Sequence, residues 1–178
     1  RQKLMNVILQ DVGRLDRLIS DISQASRVDT EIIGRDGEAF DFVELLDNFI
    51  QLRQPSFADQ TLLFTKSEQP VMVRGQDGRI VQVLDNLLSN AASFSPKGGD
   101  ITFELGLSQK PSQAVLRIMD EGPGIPENRL DTVFQRFYSE RPKGESFGDH
   151  SGLGLSIARQ IIELSLIHIS EPTRPLDI

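Results

Sequence analysis

The sequence predicts an α/β sandwich in which a mixed, mostly antiparallel sheet packs on helices. Apolar residues fall at three- and four-residue steps in several segments, the period of a helix with one buried face. Between them stand short runs rich in Val, Ile, Leu, Phe and Thr, bounded by Gly, Pro and Asp, which have the length of strands. The two kinds of segment interleave along 178 residues, enough for one domain with an appended piece.

The first element is an amphipathic helix over residues 4–28, with Leu4, Ile8, Leu15, Ile19, Ile22 and Ser26 on one seam and Arg14, Asp16, Arg17 and Asp21 on other faces. Asp11 and Gly13 interrupt a near-heptad pattern, so a helix packed in a dimeric bundle is expected, with packing on its own domain as the alternative. Gly34-Arg35-Asp36-Gly37 punctuates the chain and divides 1–34 from 35–163. A strand around Glu38–Phe42 follows, then a helix from Asp41 or Phe42 through Leu52, with the stripe Phe42, Leu45, Leu46, Phe49, Ile50 and a stop at Pro55. Leu62–Lys66 and Val71–Arg74 read as two strands joined by a polar turn; Asp77-Gly78 precedes a helix over Arg79–Ser93, closed by Pro96-Lys97-Gly98-Gly99. Ile101–Leu105 and Ala114–Met119 form a strand pair around Lys110-Pro111, and a last helix covers Ser156–Glu163.

Composition narrows the function. The net charge of -7, from 26 acidic and 19 basic residues, lacks the positive field that draws a chain to nucleic acid. The absence of Cys excludes disulfides, zinc–thiolate and iron–sulfur sites and a cysteine nucleophile, and is compatible with a reducing cytosol. No apolar run reaches the roughly 20 residues of a membrane span. The start, Arg1-Gln2-Lys3-Leu4, has no initiator Met, so a fragment of a longer protein is expected.

Three clusters carry chemistry. Asp120-Glu121-Gly122-Pro123-Gly124-Ile125-Pro126 follows a strand: its glycines let the backbone pass close to a flat ligand, and its carboxylate accepts hydrogen bonds. Gly148-Asp149-His150-Ser151-Gly152-Leu153-Gly154-Leu155 runs into a helix start, where backbone N–H groups favour phosphate. Asn86 and Asn90 lie four apart on one helix face, and an asparagine carbonyl is a hard oxygen ligand suited to magnesium beside phosphate oxygens. Each has an ordinary reading too: Asn90 bonding the loop at Ser95-Pro96, Asp120 bonding its own backbone in a turn. Their conjunction in this order favours a ligand.

With that conjunction the chain resembles the ATP-binding catalytic domain of sensor histidine kinases, within the group that includes gyrase, Hsp90 and MutL ATPases. The resemblance rests on an asparagine box, Asp85–Pro96, a first glycine box, Asp120–Pro126, a phenylalanine box, Val133–Tyr138, and a second glycine box, Ser151–Ser156. In the wording of Arg14–Ser23, Phe94-Ser95-Pro96 and Gly152–Arg159 it is similar to the ChvG-type envelope-sensing kinases of alphaproteobacteria. It implies a Bergerat-type fold preceded by the second helix of a dimerisation hairpin. It also implies roles: Asp120 accepts the adenine amine; Gly122, Gly124 and Ile125 line the base; Asn90 holds Mg²⁺ with Asn86 in support; Gly152, Leu153, Gly154 and Leu155 meet the phosphates. Residues 139–150 become a mobile lid anchored by Phe134 and Phe137, which also read as core aromatics, with Arg141 and Lys143 as phosphate contacts. Hydrolytic relatives carry a glutamate base where Asn86 stands; the amide favours phosphoryl transfer over attack by water.

A histidine kinase hands its γ-phosphate to a histidine on the first hairpin helix, then to a response regulator. Neither His150 nor His168 is on such a helix, so the acceptor is expected upstream of Arg1, and the fragment is expected to lack activity on its own. The implied parent is an inner-membrane homodimer, and this its cytoplasmic portion, with the N-terminal helix as dimer contact and membrane attachment through upstream segments. The family pattern stops at Glu163. Leu164–Arg174 resembles a translated sequencing adaptor, so 164–178 are expected to be non-native and the sheet to lack its last strands. The alternatives are a gyrase-, Hsp90- or MutL-type ATPase, or a non-catalytic fragment that binds nucleotide or dimerises.

Overall fold

The computed structural model describes residues 37–67, 69–108, 113–138 and 152–166, together with Met5, Val12 and Ile19. The chain divides into two compact units, Asp36–Gly124 with Ile162–Ile178, and Arg1–Arg35 with Ile125–Ile161.

In the first unit strand β1, Glu38–Asp41, runs straight into helix α1, Phe42–Arg53. One side chain makes that junction. Asp41 Oδ1 accepts the Val43 N–H at 2.9 Å as the helix cap and the Val71 N–H at 3.4 Å, while Phe42 N–H donates to the Val71 carbonyl at 2.9 Å. The segment after Val71 is thereby delivered to β1, and β3, Met72–Gly75, pairs with it antiparallel from Asp41↔Met72 to Glu38↔Gly75. At the far end of that ladder the Gly37 Cα lies so close to the Gly75 backbone that no Cβ fits between them. The strand β2, Thr61–Thr65, goes elsewhere: it pairs in parallel with β4, Asp100–Leu107. The two strands that read as neighbours across a polar turn thus lie in different sheets, because Asp41 and Phe42 hold the Val71 end. β4 pairs antiparallel with β5, Ala114–Met119. Two of these three pairings are antiparallel, as expected, but they are split between a two-stranded and a three-stranded sheet.

Helix α2, Asp77–Phe94, links β3 to β4 and starts two residues before the sequence-based boundary. Asp77-Gly78 is its first turn: the Gln76 carbonyl accepts from the Arg79 and Ile80 N–H groups, and an acidic residue there complements the positive helix end. α1 contributes Phe42, Leu46, Phe49 and Ile50 to the core, α2 contributes Leu84, Leu88 and Ala91, and β4 inserts Ile101, Phe103 and Leu105 at alternate positions. The Phe49 and Phe103 rings meet edge to face at 6.4 Å. Among the described residues β5 is an edge strand; its core-facing Leu116 and Ile118 are only half-buried, whereas Ile101 and Phe103 are sealed.

In the second unit, 3₁₀ turns at Glu127–Arg129 and Thr132–Phe134 lead to Tyr138, and helix α3, Gly154–Leu166, whose residues through Ile161 belong to this unit, begins two residues before Ser156. Leu153, Ile157, Ala158 and Ile161 are buried. Met5, Val12 and Ile19 are helical and exposed, consistent in local structure with the helix read over 4–28. The other residues of 4–28, and Arg141, Lys143, His150 and His168, lie outside the described residues.

Candidate functional site

In the first unit the asparagine helix and the first glycine turn are built against each other. α2 buries Leu84, Leu88 and Ala91 on one side, which leaves Asn86 and Asn90 half-buried on another. The Asn86 Nδ2 is shielded from solvent and has no hydrogen-bond partner. Such a donor normally finds an acceptor, and an unmet one is expensive. The reading in which Asn90 simply ties down Ser95 is not what the structure shows, since Ser95 Oγ is likewise buried without a partner. It is the Asn90 backbone carbonyl that is engaged, accepting from Ser93 Oγ at 2.8 Å.

The end of α2 backs onto the glycine turn through Gly122. A Cβ there would stand 3.0 Å from the Phe94 carbonyl oxygen, 3.2 Å from Phe94 Cβ and 2.6 Å from Asp120 Oδ1. Gly122 is required by close approach, and Gly124, at φ +74° in open space, by its left-handed backbone. Sequence reasoning passed over Phe94 as a site residue; its role as the wall behind Gly122 depends on tertiary packing. Asp120 does make the bond of an ordinary turn, its Oδ1 accepting the Gly122 N–H at 2.8 Å. The residue is exposed, and a carboxylate with one oxygen so fixed has a second oxygen that can accept from an amine. Gly99 closes the same corner, a Cβ there meeting Glu121 Oε2 at 3.0 Å and the Pro96 carbonyl at 3.1 Å.

In the second unit the structure joins the phenylalanine box to the second glycine box. Phe137 N–H donates to the Gly152 carbonyl at 3.0 Å, and a Cβ on Gly152, φ +69°, would fall 2.7 Å from the Tyr138 carbonyl. Gly152 therefore answers to this clasp as well as to any phosphate. Phe134 lies under the Arg159 guanidinium of α3 at 5.5 Å, and Arg136 donates to Gln160 Oε1 at 3.2 Å. Phe137 is no core aromatic: it is 65% exposed and holds φ +66°, a costly conformation for a residue with a Cβ. Leu153 has its side chain buried and its carbonyl engaged by Ile157 N–H and Ser156 Oγ. Ile125 is exposed; Gly154 and Leu155 form the first turn of α3.

The residues from 75 to 175 match the family model described as histidine kinase-, DNA gyrase B- and HSP90-like ATPase. The chain belongs to this ATPase family. Among the relatives it matches are sensor kinases. It is 41% identical over 174 residues to the sensor protein ChvG of Rhizobium meliloti (strain 1021), covering 92% of this chain and 30% of that protein. Among solved structures it resembles the mycobacterial sensor histidine kinase MprB, with a TM-score of 0.61 at 32% identity over 74% of this chain and 80% of that one. It also resembles the histidine kinase ThkA, solved in complex with the response regulator protein TrrA, with a TM-score of 0.68 at 25% identity over 90% of this chain and 43% of that one. This is a histidine-kinase-type ATP-binding domain of Bergerat fold, and the gyrase, Hsp90 and MutL alternatives are not favoured. It spans less than a third of the length of the ChvG proteins it matches.

For such a domain the donor set suits a magnesium nucleotide. Among the described residues no cluster of three His, Cys, Asp or Glu side chains is poised for a metal. A divalent ion here would draw on an asparagine carbonyl and the nucleotide's own oxygens. The unmet Asn86 Nδ2 fits a phosphate oxygen or a metal-bound water. Among the described residues no helix is long and apolar enough to cross a membrane.

Proposed function

We propose that this chain binds Mg²⁺-ATP and presents the γ-phosphate for in-line transfer to a histidine on a separate helix, from which a response regulator takes it. The observation that carries the reading is the buried, partnerless Asn86 Nδ2 on the helix whose C-terminus forms the wall of the Asp120–Gly122 turn. Asp120 accepts the adenine amine, and Gly122 and Gly124 keep side chains off the base, which Ile125 flanks. Asn90 ligates the metal, whose contribution is to neutralise phosphate charge, and Asn86 donates to an oxygen beside it. Gly152, Leu153, Gly154 and Leu155 offer backbone N–H groups to the phosphates at the start of α3, and Phe137, Arg141 and Lys143 are the further nucleotide contacts of this reading. With an amide at position 86 there is no carboxylate base to activate water, so transfer to histidine is favoured over hydrolysis.

Two ordinary aspects of the family complete the proposal. Residues 1–34 are the second helix of a dimerising hairpin, and the parent is a membrane-anchored sensor whose cytoplasmic side includes this domain. We further propose that residues 164–178 are foreign to the kinase, even though the family match runs on to residue 175; resequencing of the parent gene tests this directly.

The functional test is calorimetric titration of the 178-residue chain with a non-hydrolysable ATP analogue, with and without Mg²⁺, beside Asp120→Asn. Saturable, magnesium-enhanced binding that Asp120→Asn abolishes is expected. Absence of binding by a chain that melts cooperatively overturns the assignment. Transfer itself is read by supplying a separate histidine-bearing hairpin with labelled ATP.

A further inference from the structure

Helix α2 is held at two points that straddle its asparagines, by Arg53 at the end of α1 and by Gln60, which the adjacent Gln54 holds in turn. Arg53 Nε and Nη2 pair with Asp85 Oδ1 and Oδ2 at 2.6 and 2.8 Å, a two-pronged geometry that fixes orientation as well as distance. The guanidinium also lies over the Phe49 ring at 5.4 Å, so its stem is held on the α1 side. The Asp85 hydrogen bonds hold the Arg53 pKa above its ordinary value, against a smaller opposing effect of burial. Next to it, Gln54 Nε2 donates to the Gln60 carbonyl at 2.9 Å and Gln54 Oε1 accepts the Leu62 N–H at 2.8 Å. Gln60 Nε2 in turn donates to the Ala92 carbonyl at 3.4 Å, one of the last-turn carbonyls that the helix itself leaves unmet.

Asp85 and Ala92 are seven residues apart, which brings them to nearly the same side of α2 two turns apart. Asn86 and Asn90 fall between those two points along the axis and about 100–140° around it. The core stripe of Leu84, Leu88 and Ala91 resists separation of the helix from the sheet, but apolar packing is non-directional and yields to small rotations. A carboxamide lies roughly 5 Å from the helix axis, so a 10° turn of α2 displaces it by about 0.9 Å. Errors of that size are enough to lose a metal contact.

We propose that Arg53 is a positioning residue for the Asn86 and Asn90 carboxamides: through Asp85, with Gln54 and Gln60 as the second grip, it sets the rotation of α2 at which they meet a magnesium nucleotide. This rests on the ATP reading above. Arg53 touches neither nucleotide nor metal.

The test compares Arg53→Ala, Arg53→Lys and Gln60→Ala with the unmodified 178-residue chain. Dissociation constants for a non-hydrolysable ATP analogue are measured with Mg²⁺ and with the metal chelated, well below each variant's melting temperature. Arg53→Ala is expected to weaken Mg²⁺-dependent binding roughly tenfold while shifting metal-free binding by less than about twofold. Arg53→Lys, which keeps the charge but loses the fork, is expected to fall between, with a normal melt. Gln60→Ala is expected to change the ratio in the same direction. A purely stabilising role weakens both constants in step or neither, and either result overturns the inference. Should Arg53→Ala not fold, Arg53→Lys decides alone: an unchanged ratio overturns it. An unmodified chain that binds nucleotide without magnesium dependence also overturns it; one that binds no nucleotide at all overturns the ATP reading beneath.

Discussion

Replacing Gly122 by Ala inserts one methyl group into the tightest corner of the site. Its carbon would fall short of ordinary contact by about 0.8 Å at Asp120 Oδ1 and about 0.4 Å at the Phe94 carbonyl. The carboxylate is the more mobile of the two, so it moves first and loses its bond to the Gly122 N–H. The Phe94 carbonyl belongs to the last turn of α2 and gives less readily. Overpacking of this kind costs about 1–3 kcal/mol of stability. If Asp120 reads the adenine amine, loss of that charge-assisted bond costs a further 1.5–3 kcal/mol of affinity, or about tenfold to a hundredfold. Gly124→Ala is the comparison for stability alone. It pays only the left-handed backbone penalty of about 1–2 kcal/mol, since nothing lies within 4 Å, and leaves Asp120 untouched. Thermal melts and calorimetric titration with a non-hydrolysable ATP analogue separate the two. Gly122→Ala binding like the unmodified chain would refute the assignment of Asp120 as the base-reading group.

Three further outcomes follow from particular contacts. Gln54→Ala strips the partners from the Leu62 N–H and the Gln60 carbonyl, and is expected to lower unfolding free energy by about 1–3 kcal/mol in urea titration without altering the m-value. Gly37→Ala forces a Cβ into the Gly75 backbone, so the β1–β3 pair must part; hydrogen exchange at Phe40 and Val73 is expected to accelerate while β4 stays protected. Phe137→Gly relieves about 1–2 kcal/mol of left-handed strain and returns about 0.5–1 kcal/mol as chain entropy, with little burial lost at an exposed ring. A melting temperature that is unchanged or slightly raised is expected; a marked fall would show that the ring itself anchors the clasp.

What was legible in the sequence was local. The period of α1 and α2, the asparagines four apart, and the alternation of Ile101, Phe103 and Leu105 all follow from geometry within one element, and the structure reproduces them. Asp77-Gly78 misled because the pair that makes a turn also suits a helix's first turn when Gln76 offers its carbonyl. The partner of β3 was hidden because Asp41, some thirty residues away, chooses it. The four boxes announced the ligand class, but the grip of Arg53 on Asp85 and the wall that Phe94 makes behind Gly122 join distant segments and leave no periodic trace. Gly152 was read as a phosphate glycine, whereas its clasp with Phe137 and Tyr138 is a structural demand of its own.

The parallel register of β2 on β4 imposes an order of events on folding. Thr61 meets Asp100 only after the chain has passed through β3 and the whole of α2, so this ladder closes a large loop and its entropy must be met before the contacts repay it. The β4–β5 hairpin has no such delay, and α2 can form turn by turn. Truncating Leu88, which joins α2 to the core, should then slow refolding, whereas a change at β2 such as Leu63→Thr should chiefly hasten unfolding. The segment that presents the carboxamides is also the crossover that the sheet waits for, so selection on ligand contacts and selection on folding speed act on the same eighteen residues.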